Sequence, residues 1–249
     1  MRVLLTGGNG RLGRELRALL GAREDVELLA PPRAELDVTD AGSFRAAALG
    51  FRPDAVVHAA AYTDVAGAER DREACWTVNV VGTRNAASAA DAAGARLVHV
   101  STDYVFWGDR GGYAEDDVPG PVRNYYALTK LVAEEAARAS RRPLIIRTSF
   151  RPREWPYPEA FTDLYTSQDY VDVIAPEVAL AILHAATIPF EVLHVATERK
   201  SVFELASRRA PSVRPASKDG APVALPDDVS LDVGRWRALR DELLAGSVA

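Results

Sequence analysis

Tyr126 and Lys130 stand four residues apart in Tyr126-Ala127-Leu128-Thr129-Lys130. On a helix that spacing puts a phenol and an ammonium on one face. A free phenol titrates near ~10 and is a poor proton-transfer group at neutral pH. A lysine ammonium nearby, together with a second cation of a bound ligand, would favour the phenolate by about 1–3 units. Lysine also brings three rotatable donors, enough to serve two ribose hydroxyls and the tyrosine. Tyr125 competes for the role, but it projects about 100° away around the helix, so Tyr126 is preferred. The chain has 27 arginines and three lysines (Lys130, Lys200, Lys218), so a lysine here is one kept against a strong bias. Upstream, Ser101-Thr102-Asp103-Tyr104 follows an apolar run. Polar residues at the carboxyl end of a parallel strand face the ligand crevice. Proton transfer to or from a bound ligand is the chemistry these residues predict.

A second cluster precedes it. Thr6-Gly7-Gly8-Asn9-Gly10-Arg11-Leu12-Gly13 places glycines at 7, 10 and 13, after an apolar run and before a helical one. That arrangement suits a tight turn that brings backbone close to a pyrophosphate and aims a helix N-terminus at it. Gly7, Asn9, Gly10, Arg11, Leu12 and Gly13 are the expected cradle of a dinucleotide. An acidic residue after the second strand would read the ribose diol of NAD. Here the stretch is Leu29-Ala30-Pro31-Pro32-Arg33, with no carboxylate before Glu35. Arg33, helped by Arg11, could fork a 2′-phosphate, so NADP(H) is the expected cofactor, with NAD(H) left open. The plainer alternative is that two of many arginines fell there. Asp37 and Val38 are expected beside the adenine.

These groups need a frame. Strand-like runs at Arg2–Thr6, Val26–Ala30, Ala55–Ala60, Leu97–Ser101 and Leu144–Thr148 alternate with helical stretches at Leu12–Leu20, Ala41–Ala48, Glu73–Ala93 and Tyr126–Ala139. Apolar runs without alternation fit strands buried on both faces. The pattern predicts an α/β fold, a Rossmann-type doubly wound parallel sheet, with a small C-terminal substrate-binding lobe. Residues 1–150 are expected to form the NADP(H)-binding domain and 151–249 the lobe, partly interleaved with it. In the second part, Arg151–Asp169 reads as an irregular excursion and Pro176–Thr187 as a helix with proline in its first turn. Glu191–Ala196 reads as a strand, Val202–Arg209 as a helix and Pro211–Asp228 as a loop. A last helix is expected over Val233–Leu244, capped by Asp232.

Composition narrows the function further. The single Cys75 excludes an internal disulfide and a cysteine-cage metal site. A net charge of −5 provides no basic footprint for nucleic acid. No apolar run approaches the ~20 residues of a membrane span, and the first residues lead straight into the glycine loop rather than a signal peptide. A cytoplasmic protein is expected. His58, His99, His184 and His194 lack ligand spacing, so no metal is expected.

The chain resembles the extended short-chain dehydrogenase/reductase family, and within it the dTDP-4-dehydrorhamnose reductases. The resemblance rests on Gly7–Leu16, on Pro53–Val65 with its Ala-Ala-Ala-Tyr-Thr string, and on Ala68-Glu69. It continues through Val78-Asn79-Val80-Val81-Gly82, Ser101–Phe106, Tyr126–Lys130 and Arg147-Thr148-Ser149. It covers residues 1–150 well, and Ser230-Leu231-Asp232 is a fainter echo. It implies that Thr102 hydrogen-bonds the substrate oxygen, Tyr126 donates the proton, and Lys130 orients the nicotinamide ribose. Ala59, Ala60, Ala61, Tyr62 and Asn79 would line the cofactor side. Thr63, Val65, Asp103, Tyr104 and Phe150 would face a sugar nucleotide. Asn79 is either a helix-kinking residue or a surface amide. The implied reaction is hydride transfer from NADPH to the C4 ketone of a 4-keto-6-deoxy sugar nucleotide. A homodimer is compatible with it.

Three departures touch the substrate end. Phe150 stands where tryptophan is usual, and Tyr165–Asp172 replaces the usual Asp-Gln-x-Gly-x-Pro-Thr segment. The chain is also short in the lobe. Trp155–Phe161 is a substrate wall, a subunit contact or a packed flap. Arg147, Arg151 and Arg153 are diphosphate ligands or solvated loop residues. Two further readings stay open. One is an epimerase or dehydratase, although Tyr104 occupies the position of a dehydratase glutamate. The other is a non-catalytic NADP-binding regulatory subunit.

Overall fold

The apolar runs become one parallel sheet. In the computed structural model, which describes residues 1–221 and 225–246, β1 (Arg2–Thr6), β2 (Glu27–Leu29), β3 (Ala55–His58), β4 (Arg96–Thr102), β5 (Pro143–Thr148) and β10 (Val192–His194) lie in the order β10-β5-β4-β3-β1-β2. Each pairing is parallel. Successive side chains alternate faces, and both faces are apolar. Val3, Leu5, Val57, Val98, Leu144 and Ile146 join one core, while Leu4, Val56, Leu97 and Ile145 join the other.

The first core is closed by α1 (Arg11–Gly21), α7 (Val171–Leu183) and Trp236 of α9 (Gly234–Gly246). The second is closed by α2 (Ala41–Phe51) and α5 (Gly82–Ala93) through Phe44, Ala86 and Ala90. The order in which strands are added reverses between β1 and β3, β2 lying on one side of β1 and β3, β4, β5 and β10 on the other. A doubly wound sheet binds ligands at such a switch point, outside the carboxyl ends of its strands.

Glu73–Ala93 is not one α-helix. It forms α4 (Arg72–Trp76), a π-helical turn (Thr77–Val81) and α5, with α3 (Val65–Arg70) just ahead. α6 (Tyr125–Arg138) is keyed to the sheet by a buried ion pair. The Arg147 guanidinium meets the Glu134 carboxylate at 2.8 Å, and the Ser101 hydroxyl donates to the same carboxylate at 2.6 Å. That network fixes α6 against β4 and β5.

The second part is more ordered than the irregular excursion and loop expected from sequence. β6 (Phe150–Arg151) pairs with β9 (Asp169–Tyr170), β7 (Glu159–Phe161) with β12 (Arg214–Ala216), and β8 (Tyr165–Thr166) with β11 (Lys200–Ser201). Pairings of two or three residues, partnered up to 55 positions away, leave no periodicity to read. A small core of Ala160, Leu164, Val202, Ala206 and Val213, with α8 (Val202–Ser207), underlies this region. Part of the expected Pro211–Asp228 loop, residues 222–224, lies outside the described residues.

Pro176 does not open a helix. α7 starts at Val171 and carries Pro176 inside it. Pro176 is exposed, so the carbonyl it leaves unpaired one turn back, at Asp172, lies toward solvent on the same face. Among the described residues, no helix is long and apolar enough to cross a membrane.

Candidate active site

The chain leaves β1 at Thr6 and turns at Gly7 with φ +73°, a conformation glycine adopts without strain. A Cβ there would lie 2.5 Å from the Ala60 backbone nitrogen, and one at Gly13 would lie 2.0 Å from the Gly7 carbonyl oxygen. The glycines therefore let loop, α1 and the end of β3 touch backbone to backbone. Gly10 precedes α1 with no side-chain cap, which leaves the first-turn amides to an outside acceptor. Asn9 is held by Arg17, whose guanidinium donates to its Oδ1 at 2.9 Å.

One continuous cleft of about 1190 Å³ runs from this loop across the strand ends into the lobe. Gly7, Asn9, Gly10, Arg11, Leu12 and Gly13 line its first end, and Arg33, Asp37 and Val38 flank it. The Arg33 side chain is 78% exposed and meets Asp37 at 3.2 Å. The Asp37 carboxyl is held below its usual range by the Thr39 amide and hydroxyl, with Arg33 adding to them. Ala59, Ala60, Ala61, Thr63 and Val65 line the middle of the cleft.

Tyr62 and Asn79 stand behind this lining rather than in it. Asn79, 1% exposed in the π-turn, accepts from the Tyr62 amide at 2.7 Å and donates to the Tyr62 carbonyl at 3.2 Å. Its Nδ2 also donates to the Thr129 hydroxyl at 2.9 Å. The surface-amide reading is thereby corrected: the π-turn swings Asn79 inward, where it ties the segment after β3 to α6.

α6 begins at Tyr125 because Asn124 caps it, its side chain accepting from the Ala127 amide at 2.8 Å. Tyr126 enters the cleft. Tyr125 turns outward: its amide donates to Glu69 at 2.7 Å and Arg72 lies over its ring at 5.0 Å. Lys130 also lines the cleft. Its Nζ donates to the Val100 carbonyl at 2.8 Å and sits 3.3 Å from His99 Nε2.

The protonation states differ from the sequence expectation in one respect. Burial raises the Tyr126 phenol above its ordinary value, with Asp103 and Tyr104 adding to the rise and the Thr102 hydroxyl opposing it. The Lys130 ammonium points at the sheet and is itself brought down to about 8, chiefly by burial. The phenol thus holds its proton, which is the state a donor requires. Thr102, at the end of β4, donates to Asp103 Oδ1 at 3.0 Å. Burial lifts the Asp103 carboxyl to about 6, against hydrogen bonds from Thr102 and Ser149. The Tyr104 ring meets Tyr126 edge-on at 6.3 Å.

Beneath these groups, register places His58 of β3 directly beside His99 of β4. Their rings stack at 5.6 Å, and His58 Nδ1 lies 2.8 Å from the Thr6 hydroxyl. Burial first, and then the Lys130 charge, takes His58 down to about 3 and His99 well below its ordinary value. Both imidazoles are neutral.

Phe150 and Arg151 line the cleft where it enters the lobe, followed by Pro156, Tyr157 and Phe161. Trp155 packs on the small core instead. The Trp155–Phe161 stretch is therefore part wall and part flap. Gln168, Val202, Leu225 and Val229 complete the far end. Sequence reading missed these four and the Val100 carbonyl, because nothing local marks a residue brought in by chain folding alone.

Comparison with known proteins agrees with this fold. The family model described as RmlD substrate binding domain matches residues 1–224. The dTDP-4-dehydrorhamnose reductase of Mycobacterium tuberculosis is 41% identical over 144 residues, 56% of this chain and 46% of that protein. In matches of this kind the chain spans about half the length of the curated relative. The enzyme of the same name from Mycolicibacterium smegmatis is 32% identical over 252 residues, 90% of this chain and 75% of the relative. A crystal structure of dTDP-4-dehydrorhamnose reductase from Bacillus anthracis, in complex with NADP, superposes with a TM-score of 0.84. It is 29% identical, covering 96% of this chain and 91% of that one. The hypothetical reductase of the same name from Sulfolobus tokodaii gives 0.81 at 32% identity, over 96% and 94%. The Rossmann-type architecture is common to them.

Proposed function

The chain belongs to the RmlD substrate binding domain family, and on that footing we propose that it reduces the C4 ketone of a 4-keto-6-deoxy sugar nucleotide, of the dTDP-4-dehydrorhamnose kind, with NADPH. One observation carries the reading: Thr102, Tyr126 and Lys130 converge on a single cleft that begins at the uncapped N-terminus of α1. The glycine cradle fits the pyrophosphate of a dinucleotide, since side chains at Gly7 or Gly13 would fill it. Arg33, with Arg11, favours the 2′-phosphate over a bare ribose.

When bound, NADPH supplies the hydride and leaves as NADP+. The Tyr126 phenol gives its proton to the oxygen of the ketone as that oxygen takes on negative charge. The Thr102 hydroxyl, whose one proton goes to Asp103 Oδ1 in the structure, turns it to the same oxygen. Lys130 presents its remaining N–H donors to the ribose of the cofactor. Thr63, Val65, Asp103, Tyr104 and Phe150 hold the sugar, and the substrate lobe is the part of the chain after residue 150 that stays outside the central sheet and its core, interleaved with the cofactor domain because β10, α7 and α9 return to that sheet.

The test is NADPH oxidation against a panel of 4-keto-6-deoxy nucleotide sugars, with Tyr126→Phe as the control. Turnover in the wild type should fall by roughly 10²–10⁴-fold in the variant, as expected for a lost general acid, with NADPH affinity unchanged. Equal turnover in both would remove Tyr126 from the mechanism. Tight NADPH binding with no turnover on any sugar would favour the regulatory-subunit reading.

A further inference from the structure

We infer that Arg151 binds the diphosphate of the nucleotide-sugar substrate; this rests on the activity proposed above and assigns a residue to its substrate end. Three arginines follow one another at 147, 151 and 153, and the structure separates them. Arg147 is 1% exposed and committed to Glu134. Arg153 projects outward and forks Glu15 of α1 at 2.9 and 2.7 Å. Arg151 lines the cleft and has no ion pair or hydrogen-bond acceptor among the described residues.

The local donors make an anion the fitting ligand. Arg151 Nε is buried without an acceptor, and so is Nε1 of Trp155, the indole over which the guanidinium lies at 5.5 Å. Two buried N–H donors side by side lack oxygen, and a buried donor left unpaired is costly. A guanidinium fork matches phosphate oxygens in shape as well as charge. The backbone at Arg151 is fixed by the β6–β9 pairing with Tyr170, so the side chain starts from a defined place.

Position decides which phosphate. The glycine loop serves the cofactor's pyrophosphate at the other end of the cleft, past β1. Arg151 follows β5 and exerts its charge on Asp103 and Tyr104, on the sugar side of Tyr126. Beyond it the wall turns apolar and aromatic, with Pro156, Tyr157, Phe161, Leu164 and Val229. Sugar, diphosphate and base then meet, in order, Tyr126, Arg151 and that wall.

Calorimetric titration of the full chain with dTDP, thymidine and NADPH tests the assignment on wild type, Arg151→Gln and Arg151→Lys. Loss of one charge-assisted contact predicts dTDP affinity about ten- to a hundredfold lower in Arg151→Gln. Thymidine and NADPH affinities should stay within about twofold, and Arg151→Lys should recover part of the dTDP loss. Among the described residues Arg151 has no hydrogen-bond or ion-pair partner to strand, and recovery by lysine would separate a charge effect from misfolding. Unchanged dTDP affinity in Arg151→Gln, an equal loss for NADPH, or no dTDP binding to the wild type overturns the inference. The two proposals fail separately. A wild type that binds dTDP through Arg151 yet reduces no keto sugar keeps this inference and removes the activity; reduction indifferent to Arg151→Gln does the reverse.

Discussion

Asn79 pairs with the backbone of Tyr62 much as one strand pairs with the next, accepting from its amide at 2.7 Å and donating to its carbonyl at 3.2 Å. The two residues are 17 positions apart, and the bond holds the Ala59–Ala61 wall against α6 through Thr129. A single π-helical turn supplies the inward rotation.

Replacing Asn79 with leucine strands the Tyr62 amide inside the protein. An unsatisfied buried donor costs about 1–3 kcal/mol, and the lost Thr129 contact adds to it, so Asn79→Leu should lower unfolding free energy by about 2–4 kcal/mol. Urea denaturation measures this. A variant as stable as wild type would show that other contacts hold the segment.

Arg33 reaches into solvent at the adenosine end, with Asp37 as its one ion-pair partner among the described residues. If it reads the 2′-phosphate, Arg33→Ala loses a charge-assisted contact worth about 1.5–3 kcal/mol for NADPH and close to nothing for NADH. Fluorescence titration with both cofactors checks this. A parallel loss for the two would assign the selectivity elsewhere.

Asp103 gives the chain a pH signature. Burial pushes its carboxyl up to about 6 in the folded chain, from an ordinary value near ~3.9. Between those values the folded state keeps a proton the unfolded chain has released, so stability is full below the lower value and falls as pH rises toward the upper. Two units correspond to roughly 3 kcal/mol at the outside. Asp103→Asn should therefore gain about 1–3 kcal/mol on wild type between pH 4.5 and 7. Urea midpoints at the two pH values decide it, and a constant offset would mean Asp103 titrates alike in both states.

Much of the site was legible because its signals are local. Glycines three apart between a strand and a helix, and a tyrosine four before a lysine, need no knowledge of the rest of the chain. The choice of Tyr126 over Tyr125 followed from helix geometry alone. What was not legible depends on partners chosen by folding. Arg147 and Arg151 look alike in sequence. One is neutralised by Glu134 of α6, and the other is left facing the cleft. Lys200 is buried with Asp169 at 3.6 Å and donates to the Gln168 carbonyl at 3.0 Å, contacts that nothing near it in sequence announces. The orientation of Lys130 was not legible for a similar reason. Lys130 is drawn to the Val100 carbonyl, a backbone atom that no side-chain pattern announces.

The stacked imidazoles of His58 and His99 make the floor of the cleft an insulator. Histidine ordinarily answers to pH near neutrality, yet burial carries this pair below that range. They act as flat, uncharged spacers between Thr6 and Lys130. A modest acidification of the surroundings leaves the electrostatic ground beneath the reacting atoms as it was.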